Sequence, residues 1–127
     1  MLTDDQIDAA KQGFRYDHPS DVLHEHNDCI RIAYEWLDAQ NVRATPSKKF
    51  RPLKHIIEKW AGRYISRSDV EIAASMHPHI RGKYPDFNLS ARLVRPSDNR
   101  LEGIGEALTQ DYRDRLDPKT YALSEDA

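Results

Sequence analysis

The run KHIIEKWAGRYISRSDVEIAASMHP, residues 54–78, decides how the rest of the chain is read. Pro52 suits the first turn of a helix, the apolar residues Leu53, Ile56, Ile57, Trp60 and Ala61 have the spacing of one buried stripe, and Gly62 closes it. The other face carries Lys54, His55, Glu58 and Lys59. Tyr64-Ile65-Ser66 is a brief β-prone step. Ser68-Asp69-Val70-Glu71 then has the form of a capping box, in which a hydroxyl and a carboxylate satisfy the free N–H groups of a helix start. It opens the nearly all-apolar VEIAASM. Two helices are expected here, the second buried, which leaves the surface work to HIRGKYPDFNLSARLVRPSDNRLEGIG, residues 79–105.

Upstream, Thr3-Asp4-Asp5-Gln6 is another capping box and predicts a short helix with Ile7, Ala10 and Phe14 on one stripe. Acids occupy its first turn and Lys11 and Arg15 its last, as the helix dipole favours. After YDHPSD, Asp21 reads as the cap of a longer helix to about Gln40, with Leu23, His26, Ile30, Ala33 and Leu37 on one face and Cys29 and Trp36 beside it. NVRATPSKKF breaks the pattern and reads as a linker. A further helix is expected over about residues 105–116, followed by a frayed tail, DPKTYALSEDA.

A chain of 127 residues suits one core with extensions. The reading is an acidic helical extension over 1–42, a basic domain over 43–107, and a helix end with flexible tail over 108–127. No apolar run approaches the ~20 residues of a membrane span, and the N-terminus lacks a signal-peptide pattern. A soluble cytoplasmic protein with no membrane partner is expected. The single cysteine, Cys29, excludes an internal disulfide framework and reads as a core residue.

The net charge of −2 hides a strong segregation: −6 over residues 1–42, +8 over 43–101 and −4 over 102–127. A basic centre between acidic flanks suits a phosphate-binding surface. It equally suits basic helices that pair with acidic helices of the same chain, and both readings stand on the sequence.

Helix, brief strand, short helix with EIAA, a turn, NLSARL and then a Pro-Ser-Asp-Asn hairpin resembles a winged helix-turn-helix domain over residues 50–107. The fold class is then mainly α with a small β-hairpin. The resemblance implies that NLSARLV is a recognition helix in the major groove and RPSDNRLEGI the wing. With Asn88 as cap, Leu89 and Leu93 point inward, and Ser90, Arg92 and Arg95 face the groove, where arginine grips guanine or phosphate with two bonds. Arg81, Lys83, Arg100, Lys48, Lys49 and Arg51 add phosphate contacts that position without reading sequence. The same segment also reads as a strand, SARLVRP, paired with RLEGI. Tyr84 and Phe87 read first as anchors of the loop and second as platforms for unpaired bases.

His18, His24 and His26 lie close to Glu25 and Asp28, which raises metal chemistry. Residues two apart on a helix point about 200° apart, so His24 and His26 cannot chelate together; His24 and Asp28 have the correct spacing. No metalloprotease, phosphate-loop or nucleophile-elbow motif accompanies them. No catalytic residue, metal, cofactor or small-molecule site is expected. The expected function is regulatory binding of double-stranded DNA, with a homodimer through helix 21–40. The alternative is an interaction or inhibitor protein of a kind mobile elements encode. A small metal-dependent hydrolase is a distant third.

Overall fold

Two amphipathic helices meet at the centre of the molecule: α2, Asn27–Asp38, lies along α4, Arg67–Met76. The structure is a computed structural model that describes residues 1–46, 51–112 and 119–126. Helix α1, Asp4–Gly13, and helix α3, Leu53–Ala61, complete the helical set among the described residues. The protein is mainly α, with two small two-stranded sheets among the described residues.

The capping box of α1 forms as read, with Gln6 N donating to Thr3 Oγ1 at 3.2 Å and Thr3 N to Gln6 Oε1 at 2.9 Å. Ile7 turns the stripe into the core. Helix α3 also forms as read. Gly62 ends it in the left-handed conformation at φ +60°, where a Cβ is strained and would press on Leu108 at 3.2 Å.

The α2 helix begins five residues later than expected, with its cap at His26 rather than Asp21. Pro19–Asp21 is a 3-10 turn, residues 22–26 are not helical, and His26 is the N-cap, its Nδ1 accepting from Asp28 N at 2.9 Å. The cause is tertiary. Leu23 N donates to Ser68 Oγ at 3.1 Å and Glu25 N to Asp69 Oδ2 at 3.3 Å, so α4 satisfies donors that an earlier helix start would have to cap. Leu23 is therefore exposed rather than in the core. Cys29, Ile30, Ile32, Ala33, Trp36 and Leu37 are fully buried, so the apolar face on which a homodimer through helix 21–40 would rest is covered within the chain.

The second capping box forms two residues before the expected one, between Ser66 and Asp69. Ser68, the expected cap, is instead the buried acceptor for Leu23. Asp69 is wholly buried and accepts from Ser66 N, Glu25 N and His24 Nδ1. His24 bridges two partners, with Nδ1 2.9 Å from Asp69 Oδ1 and Nε2 2.6 Å from the Tyr16 hydroxyl. Both ring nitrogens of His24 are thus engaged away from Asp28.

The hairpin lies upstream of its expected place. Strands β1, Gly82–Lys83, and β2, Asp86–Phe87, pair antiparallel around a cis Tyr84–Pro85 peptide. The expected recognition helix does not form. Residues 88–95 run through a bridge between Leu89 and Val42 and then strand β3, Val94–Arg95. Strand β3 pairs parallel with β4, Leu123–Ser124, not with residues 100–104. The expected wing is a 3-10 turn, Asp98–Leu101, capped by Ser97.

Two features explain the extended course. Pro96 disfavours helical backbone at Arg95, and Gln40 clamps Val94 like a neighbouring strand, donating to Val94 O at 2.8 Å and accepting from Val94 N at 2.9 Å. Residues 105–112, expected to be helical, are turns and irregular backbone; the rest of that helix lies outside the described residues. Residues 119–126 lie against the rest of the chain. Tyr121 accepts from Trp36 Nε1 at 3.0 Å, and β4 holds the chain to β3.

The buried cluster takes Ile7 from α1, the apolar faces of α2, α3 and α4, and Leu101 and Ile104 from the C-terminal part. Fully burying a large aliphatic side chain contributes about 1.5–3 kcal/mol each. Residues from all three charge segments therefore share one apolar interior.

Candidate nucleic-acid interface

Asn88, read as a helix cap facing DNA, is 2% exposed and joins three segments of backbone. Its Oδ1 accepts from Arg81 N at 2.7 Å, and its Nδ2 donates to His79 O and Arg43 O, both at 3.0 Å. Backbone bonds run beside these, from Asn88 N to Arg81 O, Arg43 N to Asn88 O and Ser90 N to Asn41 O. An asparagine fits because it supplies an acceptor and two donors from one planar group. At this buried position its amide oxygen and nitrogen are both spent on backbone groups.

Around this hub the loop 41–46, the segment 79–83 and the segment 88–92 form one hydrogen-bonded edge. Arg43, Arg81 and Arg92 lie on it, exposed, their guanidinium groups without a partner among the described residues. Arg43 had no sequence signal beyond its charge. Ser90 is half-buried and its hydroxyl accepts from Arg92 N at 3.2 Å, which turns the chain at Arg92. Arg51 reaches the same edge, its Nη2 donating to Ala91 O at 2.5 Å. Lys83 is 81% exposed and meets Asp17 at 3.3 Å, a contact weak enough to exchange for another anion. Lys48 and Lys49 lie outside the described residues.

Two of the expected contacts are engaged elsewhere. Arg95 is half-buried, bonded to Asp98 at 3.3 Å and to its neighbour Pro96 O at 3.4 Å. It does not stand on a groove-facing helix. Arg100 binds Glu125 at 2.7 Å and Glu35 and Asp38 at 3.0 Å each, a carboxylate cage that displaces its expected phosphate contact. Hydrogen bonding to Glu125 chiefly raises the Arg100 pKa, against burial, and the same bond holds the Glu125 carboxyl below its ordinary range. Burial opposes ionisation of Asp38, but bonds from His77 and Arg100 outweigh it and lower its pKa.

Both carboxyl groups are lowered on folding, from ordinary values of 3.8 and 4.5, so their contribution is present above that range and is lost as pH falls through the lower folded values. Arg100→Ala should cost roughly 1–2 kcal/mol at neutral pH, a figure discounted because Asp38 is 45% exposed. It should also flatten the loss of stability as pH falls below about 4.5, since Asp38 and Glu125 are no longer held below their ordinary values by that cation. Urea unfolding of both proteins across that range measures the difference; parallel curves would show that the cage does not govern acid stability.

Ion pairs engage other central cations as well, Arg63 with both acidic flanks and Lys54 and Arg67 within the centre. Arg63 binds Glu25 at 3.3 Å and Glu106 at 3.0 Å, while Lys54 binds Glu58 at 2.9 Å and Arg67 binds Glu71 at 3.3 Å. Pairing of basic and acidic parts of the same chain is therefore observed at Arg63 and Arg100, whereas Arg43, Arg81 and Arg92 have no such partner among the described residues. Tyr84 is an anchor: its hydroxyl accepts from Lys54 N at 3.4 Å, and the Arg67 guanidinium lies 5.2 Å from its ring centre. Phe87 is buried. Burial pushes the Cys29 thiol up to about 12, which makes it an inert core residue.

No group of three or more His, Cys, Asp or Glu side chains is placed to share a metal ion among the described residues. No helix among them is long and apolar enough to cross a membrane. Comparison of the chain with protein-family models, with curated proteins and with solved structures finds no match.

Proposed function

We propose that the protein binds double-stranded DNA through phosphate contacts made by the edge around Asn88, in a regulatory role. The observation that carries this reading is the sorting of positive charge. Arg63, Arg67, Arg95 and Arg100 are engaged with carboxylates, whereas Arg43, Arg81 and Arg92 stand exposed on one hydrogen-bonded edge with no carboxylate partner among the described residues. Unanswered guanidinium groups on a scaffold tied together by backbone bonds suit phosphate oxygens, which accept in any direction.

Within the winged-helix likeness, α3, α4 and a hairpin follow in order. The segment that the likeness sends into the major groove is extended and half of it is buried, so base readout by a recognition helix is not part of the proposal. Phosphate contact alone implies weak sequence preference.

The test is a titration of random-sequence duplex at several salt concentrations. The log–log slope is expected to fall by about 0.9 for each phosphate contact removed, so Arg81→Ala and Arg92→Ala should each flatten it by about that amount and weaken all sequences alike. Arg100→Ala should leave the slope unchanged, because that cation is already neutralised. A slope indifferent to Arg81 and Arg92 would refute the phosphate reading.

A further inference from the structure

A groove of about 300 Å³ opens between the end of α1, the outer side of α4 and the β1–β2 hairpin. Phe14, Ala74, Ile80 and Phe87 give it an apolar floor, and Tyr84, fixed by Lys54 and Arg67, forms one wall. Gly82 shapes the hairpin side: at φ +102° it tolerates no Cβ, which would run into Asp86 O and the Pro46 ring.

The charges on this groove do not cancel. Its carboxylates are Asp17 and Glu71, and each already has a cation, Lys83 for the first and Arg67 for the second. Arg15 and Arg81 remain, both exposed and without a partner among the described residues. An apolar floor alone would suit a neutral hydrophobe, and two guanidinium groups alone would suit an inorganic ion. Together they select a molecule with both parts. The volume lies at the low end for ligand pockets, roughly 300–1,000 Å³, which fits one ring system or short chain with one anionic group.

The geometry points to a binding site for a small organic anion with an aromatic or aliphatic body, whose occupant competes with duplex DNA for Arg81 and Lys83. The body lies on Phe14, Ala74, Ile80 and Phe87 while the anionic group meets Arg15 and Arg81 and displaces Lys83 from Asp17. The competition rests on the phosphate-contact reading of the same two cations; the site itself does not.

Calorimetric titration of the intact protein with 1-naphthyl phosphate and with 1-naphthoate tests the site, with 1-naphthol and inorganic phosphate as partial ligands. At least one of the two anions should bind, and both partial ligands should bind about tenfold more weakly or less. Binding by only one anion assigns the site to phosphate esters or to carboxylates. Arg15→Ala and Arg81→Ala, both surface changes, should each weaken binding about five- to tenfold. Ala74→Phe, which fills the floor, should abolish it, with circular dichroism to show that the variant folds. Failure of both anions to bind, or unchanged binding in the two arginine variants, overturns the site. The bound anion should also release a fluorescent duplex from the protein. Independent binding of both overturns the competition, whereas a duplex that never binds sinks the phosphate-contact reading and the competition with it, leaving the site to stand or fall on the calorimetry.

Discussion

Asp69→Ala is expected to lower the stability of the folded protein by about 3–4 kcal/mol, a large share of the 5–15 kcal/mol typical of a domain. The side chain is wholly buried and caps its own helix by accepting from Ser66 N at 3.3 Å. It also holds the non-helical segment before α2 through His24 Nδ1 at 2.9 Å and Glu25 N at 3.3 Å. Alanine removes the acceptor and strands these donors away from water, each at about 1 kcal/mol or more. The segment loses its tie to α4, and the Tyr16–His24 contact loses the carboxylate that orients the imidazole. Asp69→Asn keeps one acceptor oxygen and should cost about half as much. Urea unfolding of the three proteins decides the matter: a change under about 1 kcal/mol for alanine would mean that the tie is not stabilising.

Asn88→Ala should cost about 3 kcal/mol, since it leaves Arg81 N, His79 O and Arg43 O without their side-chain partner at a buried site. Asn88→Asp should cost at least as much despite its matching shape. It turns the amide that donates to two carbonyl oxygens into a carboxylate oxygen that repels them. The two substitutions separate positioning from contact. At a urea concentration where the variants remain folded, duplex affinity should fall in both because the edge carrying Arg43 and Arg81 loosens. An Asn88→Ala variant of unchanged stability but weakened binding would instead make Asn88 a direct contact.

Local pattern was enough wherever local forces decide. The stripe Leu53, Ile57, Trp60 and Ala61 ending at Gly62, and the Thr3–Gln6 box of α1, form as read because their side chains satisfy the nearest turn. Cys29, Ile30, Ala33, Trp36 and Leu37 were legible as an inward face, but what that face packs against was not. The start of α2 was misread because its decisive partners, Ser68 and Asp69, lie more than forty residues away. The choice of Ser66 over Ser68 as cap follows from the same contact, which two overlapping capping patterns cannot distinguish.

At residues 88–95 the sequence left helix and strand both open, and Pro96 was the one local sign for the extended form. Gln40, fifty-four residues away, settles it by bonding both backbone groups of Val94, and β4 completes the pairing from a tail that looked free. Charge followed the same rule. Its segregation along the chain was visible from composition, since counting needs no geometry. Which arginines are neutralised depends on where Glu35, Asp38, Glu106 and Glu125 come to lie, and Coulomb attraction acts on distance in space. Sequence thus determined that α1, α3 and the cores of α2 and α4 are helical and that positive charge concentrates in the centre of the chain, whereas tertiary packing alone decided which cations face water, because burial and pairing are properties of neighbours that the chain brings together only on folding.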